Sequence, residues 1–304
     1  MLKKVLLTGA SGFIGRSTIP LLLKKGYSIH AVDISNKPSS IITSNNLFWH
    51  KCDLLNQNQQ KSLIKEIKPD YLLHFAWYTV PGKYWTSLEN HNWVIASSDL
   101  LKNFQENGGS RAIIAGTCAE YDWNYDYYSE EKTPLNPRTL YGSCKNDLHH
   151  KLSQFSKKTG MSSAWGRIFF LYGPYEAKAR LIPSVIRSLL QNQSAKCTHG
   201  NQIRDFIHVE DVASAFITLM ESNLEGPVNI ASGEPITLKT IIYAIADLLG
   251  KNHLIELNAL SAQENEPLSL VADVSKLNHL LNWKPKITLR EGLINTVDWW
   301  KHNL

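Results

Sequence analysis

No stretch of this 304-residue chain approaches the ~18 consecutive apolar residues that a membrane-crossing helix requires. A bilayer span is therefore not expected, and the chain, which opens directly on a short apolar strand pattern without a secretory leader, is read as cytoplasmic. Long blocks of one charge are also missing. The formal net charge is +5, but lysines and arginines are scattered among acids, so no nucleic-acid-binding stripe is expected and an anionic small molecule suits the balance better. Only four cysteines occur, Cys52, Cys118, Cys144 and Cys197. Neither they nor the histidines show metal-ligand spacing, so reduced thiols and no metal are expected. The absence of a Pro/Gly/Ser-rich linker and of any internal period argues against separable modules and repeat arrays. What is present is a 43% hydrophobic chain with nine tryptophans, long enough for one large domain or two lobes sharing a cleft.

The first pattern is strand, glycine turn, helix. An apolar run at 3–8 leads into Thr8-Gly9-Ala10-Ser11-Gly12-Phe13-Ile14-Gly15, and residues 17–25 read as a helix stopped by Gly26, with Pro20 awkwardly inside it. Gly9, Gly12 and Gly15 permit a tight turn and close approach to a pyrophosphate. The helix start beyond Phe13 and Ile14 offers free N–H groups and a positive dipole end to it. A second strand at 28–32 ends in Asp33, at a spacing that suits a carboxylate accepting hydrogen bonds from a ribose diol. Asp33 would repel the 2′-phosphate of NADP, which favours NAD, while nearby Lys37 leaves NADP open.

Strands at 47–52, 71–75 and 111–115, with helices at 57–68, 88–106 and 141–158, continue the alternation. The expected fold is α/β, a Rossmann-type doubly wound parallel sheet with its ligands at the carboxyl ends of the strands. Those ends carry Asp53-Leu54, Phe75-Ala76-Trp77 and Gly116-Thr117-Cys118-Ala119-Glu120-Tyr121 to one rim. Tyr141 and Lys145 then share a helix face one turn apart. A free phenol titrates near ~10, and an adjacent ammonium would lower that value toward general acid/base range. The Thr117 hydroxyl could bind a carbonyl or alkoxide oxygen beside it. Further helices are expected at 211–222, 238–249, 275–281 and 289–300, around a strand at 227–230.

Taken in order, the glycine turn, Asp53-Leu54, Thr117, the Tyr141 and Lys145 pair, Tyr172-Gly173-Pro174, Arg204-Asp205-Phe206-Ile207-His208-Val209-Glu210-Asp211-Val212 and Leu281-Asn282-Trp283-Lys284-Pro285 resemble, nearly end to end, an extended short-chain dehydrogenase/reductase of the nucleotide-sugar epimerase, dehydratase and reductase group. The resemblance implies a dinucleotide-binding domain over 1–167 and a smaller substrate lobe over 168–304, with segments returning to the sheet. It implies a catalytic set of Thr117, Tyr141 and Lys145, with Lys145 also holding the nicotinamide ribose. Asp53, Leu54, Phe75, Ala76 and Trp77 would line the cofactor. Arg204 would clamp the nucleotide's diphosphate through its planar fork, with Leu181 and Pro183 near the base, Arg180 as a further substrate contact, and Phe170 in place of an asparagine that many relatives carry before Tyr-Gly-Pro. A homodimer through the helices at 88–106 and 141–158 is implied as well.

Departures from the group's pattern narrow the reaction. Cys118 and Ala119 replace the Asp and Glu that follow the catalytic threonine in dehydratases, which disfavours dehydration, and Glu120 is expected to point away from substrate. Phe170, together with Trp93 in place of another asparagine, makes UDP-galactose a poor candidate. The aromatic stretches 77–85 and 121–128 either stack on a ligand or pack the rim. Cys118 and Cys144 read as space-fillers without a base. The expected function is an NAD(P)-dependent oxidoreductase or epimerase acting at C4 of a nucleotide-diphosphate sugar, either a 4-keto-6-deoxysugar reductase or a 4-epimerase. The alternative is a catalytically silent dinucleotide-binding regulator or scaffold.

Overall fold

The computed structural model describes residues 2–262 and 266–304. Its centre is a seven-stranded sheet of β1 (Lys4–Thr8), β2 (Ser28–Asp33), β3 (Leu47–Lys51), β4 (Tyr71–His74), β5 (Arg111–Thr117), β7 (Ser162–Ile168) and β11 (Gly226–Ile230). The order across the sheet is β11-β7-β5-β4-β1-β2-β3, and every neighbouring pair is parallel. Parallel strands need helical crossovers, so both faces are covered. The apolar sides of α1 (Phe13–Lys24) and α6 (Val209–Glu221) close one face around Ile19, Leu22, Val212 and Phe216. On the other face α2 (Gln57–Ile67), α3 (Glu89–Glu106) and α4 (Leu140–Thr159) contribute Ile64, Leu100, Phe104 and Leu148. The order reverses at β1, so the turns after β1 and β4 flank a crevice at the carboxyl edge, where ligands of such sheets bind.

The second lobe is built on a smaller sheet of β12 (Pro235–Thr237), β10 (Ile203–His208), β14 (Ser269–Ala272) and β6 (Tyr127–Tyr128), with β8 (Phe170–Tyr172) beside β10. Helices α5 (Leu181–Leu190), α7 (Leu238–Leu249) and α8 (Leu289–His302) bury a separate apolar cluster, and β9 (Ala195–Lys196) pairs with β13 (Ile255–Glu256). The lobes are not sequential blocks, because β11 and α6 belong to the main sheet and its covering layer. No helix among the described residues is long and apolar enough to cross a membrane.

Three local features differ from the sequence reading. Helix α1 begins at Phe13, four residues earlier than expected, because the glycine turn runs straight into it, and Pro20 lies within it. Residues 275–281 form only one wide turn, Lys276–Leu280. Strand β7, helix α5 and the strands of the second lobe lie outside the sequence expectation. Strand β7 is buried almost throughout and lacks alternation, and α5 carries Pro183 in its first turn, where a missing N–H costs nothing.

Candidate active site

Thr117 is the last residue of β5, and a single 3₁₀ turn, Cys118–Glu120, follows it. That turn closes on itself: the Thr117 hydroxyl accepts from the Ala119 N–H at 3.2 Å, and the Glu120 carboxylate accepts from the Thr117 N–H at 2.8 Å. Helix α4 starts on the Thr139 cap, whose hydroxyl accepts from the Gly142 N–H at 3.0 Å. Gly142 packs directly on the backbone of Ala119, a contact that a Cβ would overlap. This close approach sets Tyr141 beside Thr117. The Tyr141 amide, left free by the helix start, donates to the Trp85 carbonyl at 3.1 Å, and the rings of Tyr84 and Trp85 meet the phenol ring edge-on at 4.9 and 5.7 Å.

Lys145 lies one turn further along and is buried. Its ammonium donates to the Ala115 carbonyl at 2.8 Å and sits 3.7 Å from the centre of the Trp77 ring. Burial pushes its pKa down to about 7, against the pull of Glu120. The Tyr141 phenol is driven up, chiefly by burial and then by the Tyr84 phenol, with a hydrogen bond from Thr117 acting in the opposite direction. The expectation that Lys145 lowers the phenol is therefore corrected. The ammonium is engaged by Ala115 and Trp77, and desolvation of the phenol prevails.

The expected cofactor residues surround the crevice. Gly9 adopts φ +66°, and a Cβ there would stand 2.9 Å from the Ala76 nitrogen, so the turn presses against Phe75-Ala76. The Thr8 hydroxyl accepts from the N–H groups of both those residues at 3.2 Å. Gly12 ends the turn as the cap of α1, with no side chain bonded to the first helical amides, and Phe13, Ile14 and Gly15 follow in the first turn. The Asp33 carboxylate reaches the same turn, accepting from the Ser11 amide at 3.0 Å and the Ser11 hydroxyl at 2.7 Å. Asp53 and Leu54 lie between β3 and α2, with Leu54 buried. A backbone cradle that side chains would fill, open helix amides and a carboxylate beside the turn fit a dinucleotide.

On the substrate side, Arg204 is tied to groups of its own lobe. Arg204 is buried and bonds the Glu266 carboxylate at 2.6 Å and the carbonyls of Ile203 and Leu268, with its guanidinium 5.3 Å from the Phe170 ring. Asp205 turns the other way, accepting from Ser232, Gly233 and Ala272. Arg180 caps the start of α5 and places a guanidinium nitrogen 3.5 Å from the Tyr84 hydroxyl, which links it to the aromatic wall over Tyr141. Leu181 and Pro183 lie in the first turn of α5, Pro183 buried and Leu181 half-buried against the cluster shared with α7 and α8. Trp93 is packed against Trp77, their ring centres 6.1 Å apart.

Sequence reasoning passed over two features. The Cys144 thiol lies 3.6 Å from His91 Nδ1 on α3, so a base does stand beside it, although burial pushes the thiol up. Burial likewise drives the Cys118 thiol up to about 12. Glu176, on the loop between β8 and α5, has an unpartnered buried carboxylate oxygen, and burial raises its carboxyl to about 8 against the nearby Arg180. No local pattern marks either feature, since the Cys144 pair forms only where α3 packs on α4 and the burial of Glu176 depends on how its loop is covered.

A sequence model described as the NAD dependent epimerase/dehydratase family matches residues 5–231. The chain is 27% identical to a UDP-glucuronate 4-epimerase of Thermodesulfobacterium geofontis (strain OPF15), across 98% of this chain and 96% of that protein. It is also 27% identical to a dTDP-4-dehydro-6-deoxyglucose reductase of Escherichia coli, across 95% of each. Among solved structures, a UDP-N-acetylglucosamine 4-epimerase from Methanobrevibacter ruminantium M1 in complex with UDP-N-acetylmuramic acid superposes with TM-score 0.90 and 26% identity, covering 100% of this chain and 99% of that one.

Proposed function

Because this chain belongs to the NAD dependent epimerase/dehydratase family, we propose that it catalyses proton and hydride transfer at C4 of a nucleotide-diphosphate sugar, as a reductase of a 4-keto-6-deoxysugar. The observation that carries this reading is the meeting of Thr117, Tyr141 and Lys145 at the carboxyl edge of the sheet, beside the glycine turn. NAD, when bound, supplies or accepts the hydride. The chain's own residues do the rest. The glycine turn, the open amides of α1 and Asp33 hold the dinucleotide; Lys145 anchors its ribose; the Thr117 hydroxyl orients the C4 oxygen; and the Tyr141 phenol passes a proton to that oxygen. A ketone then becomes an alcohol, with hydride on carbon and proton on oxygen.

The rim of the site favours reduction. Tyr84 and Trp85 stand edge-on to the Tyr141 ring with Trp123 beyond Trp85, an aromatic wall better suited to a C6 methyl than to a hydroxyl. Cys118 and Ala119 lack the carboxylates a dehydration would use. A second reading, a 4-epimerase working through a transient ketone, is favoured by Asp33, which suits an enzyme that retains NAD. Arg204 is assigned to the substrate diphosphate, exchanging its bonds to Glu266 and to the Ile203 and Leu268 carbonyls for phosphate oxygens. A homodimer through α3 and α4 accords with Leu88 and Ile95 being 74% and 58% exposed at the start and middle of α3, and sedimentation would test it.

Incubating the protein with NADH or NADPH and a 4-keto-6-deoxy nucleotide sugar separates the readings. Stoichiometric cofactor oxidation identifies the reductase, and epimeric product without net oxidation identifies the epimerase. Turnover that is unchanged in Tyr141→Phe would refute both.

A further inference from the structure

Glu120 touches neither the cleft nor solvent, yet it is tied to the proposed catalytic threonine more directly than any other charged group. It is 0% exposed. Its Oε1 accepts from the Thr117 N–H at 2.8 Å, both oxygens accept from Trp165 Nε1–H at 3.0 Å, and Oε2 accepts from Arg167 Nε–H at 2.8 Å. Arg167, itself 1% exposed, donates to the Tyr121 hydroxyl at 3.2 Å and approaches His149 Nδ1 on α4 at 3.5 Å. The Tyr121 hydroxyl in turn donates to Asn229 at 2.7 Å, and the Asn229 amide reaches the carbonyls of Tyr128 and Asp273. One buried network therefore joins the end of β5, strand β7, helix α4 and the strands of the second lobe.

Apolar side chains of similar volume often serve stability as well as a buried ion pair does. What a carboxylate adds at this point is a fixed bond to one amide and a fixed charge behind one pair of side chains. We propose that Glu120, held by Arg167 and Trp165, is a positioning residue that fixes Thr117 against Tyr141 and sets the field at the Tyr141 phenol and the Lys145 ammonium. This inference rests on the reading of Thr117, Tyr141 and Lys145 given above. Glu120 opposes ionisation of the phenol and favours the ammonium. The other titratable groups facing the phenol are Tyr84 and Cys118, and His74 of β4 faces Lys145.

The test is Glu120→Gln, with Glu120→Gln/Arg167→Gln as a second variant that leaves no charge orphaned should the single change fail to fold. Losing the negative charge lowers the pKa of both Tyr141 and Lys145, so the pH profile of kcat moves to lower pH. Loosening Thr117 lowers kcat by about 100-fold, with the KM for nucleotide sugar and the affinity for NAD unchanged. A readout independent of turnover is the ultraviolet tyrosinate titration of the NAD complex, taken as the difference between proteins with and without Tyr141→Phe. The proposal expects this titration to move down in Glu120→Gln and to move less in the double variant, where the opposing Arg167 charge is removed as well. Either folded variant with wild-type kcat, or a folded Glu120→Gln with reduced kcat but an unmoved pH profile and tyrosinate titration, overturns it. If the unaltered protein turns over no 4-ketosugar, the proposed reaction fails, and the tyrosinate titration alone decides the role of Glu120.

Discussion

Replacing Gly142 by alanine tests whether the spacing between α4 and the turn after β5 governs the chemistry. A Cβ on Gly142 would lie 3.0 Å from the Ala119 carbonyl carbon and 3.0 Å from Pro137 Cβ, and would overlap the Ala119 oxygen. Favourable carbon contacts lie at ~3.5–4.0 Å, so the two backbones must part by roughly 0.5–1 Å. Neither neighbour yields easily, because the Ala119 amide is bonded to Thr117 and Pro137 is a ring. Overpacking of this kind costs about 1–3 kcal/mol, and the better helix propensity of alanine returns up to about 1 kcal/mol. Net destabilisation is therefore about 0–3 kcal/mol, small enough for the protein to fold. The displacement acts along the line between Thr117 and Tyr141, where a misplacement of about 1 Å costs on the order of 100-fold in rate. Urea unfolding, NAD affinity and kcat should be measured together on the same preparation. A folded Gly142→Ala protein with normal NAD affinity and normal kcat would refute the argument that this contact sets the geometry.

Three further outcomes are expected. Tyr141→Phe keeps NAD affinity and loses roughly 10²–10⁴-fold in turnover, as steady-state kinetics and cofactor titration would show. Arg204→Lys raises the KM for nucleotide sugar by roughly 10- to 100-fold, the worth of a charge-assisted bond that an ammonium does not copy, while NAD titration is unaffected; an unchanged KM removes Arg204 from the substrate site. Glu176 keeps its proton up to about 8 in the folded protein, whereas the unfolded chain releases it near ~4.3. Between those values the native state binds more protons, so this group's contribution to stability, full below the lower value, is lost as pH rises through the upper one. The unfolding free energy of the wild-type protein relative to Glu176→Gln should fall between about pH 5 and pH 8, and a flat difference in urea titrations contradicts it.

The parts of the site legible in the sequence are those whose geometry is local. The glycine turn, Asp33 at a strand end, and Tyr141 and Lys145 one helical turn apart are each fixed by a few consecutive residues and the period of the element that carries them. Arg204 is recognisable as a candidate from its own segment, but its partner Glu266 comes from a distant one, so the pairing is not legible locally. The protonation of Tyr141 was misjudged for a related reason. Burial of the phenol is decided by Tyr84 and Trp85, which arrive from the loop after β4. Glu120 looked idle because its three partners, Thr117, Trp165 and Arg167, converge only once β5 and β7 lie side by side.

Strand β11 has a consequence for how the chain must be made. The sheet is not finished by the residues that begin it: β7 pairs with β5 on one side, and on the other it waits for Gly226–Ile230. During synthesis, therefore, the emerging chain carries a strand destined for burial, with a free row of N–H and C=O groups, until residues 226–230 leave the ribosome. Distant parallel pairing of this kind is slow to form. The finished border is better guarded, because Pro227 in β11 removes one donor from the outermost strand. An interrupted chain ending short of residue 226 is thus the species most exposed to pairing with its own copies, and the completed chain protects itself with the strand it makes late.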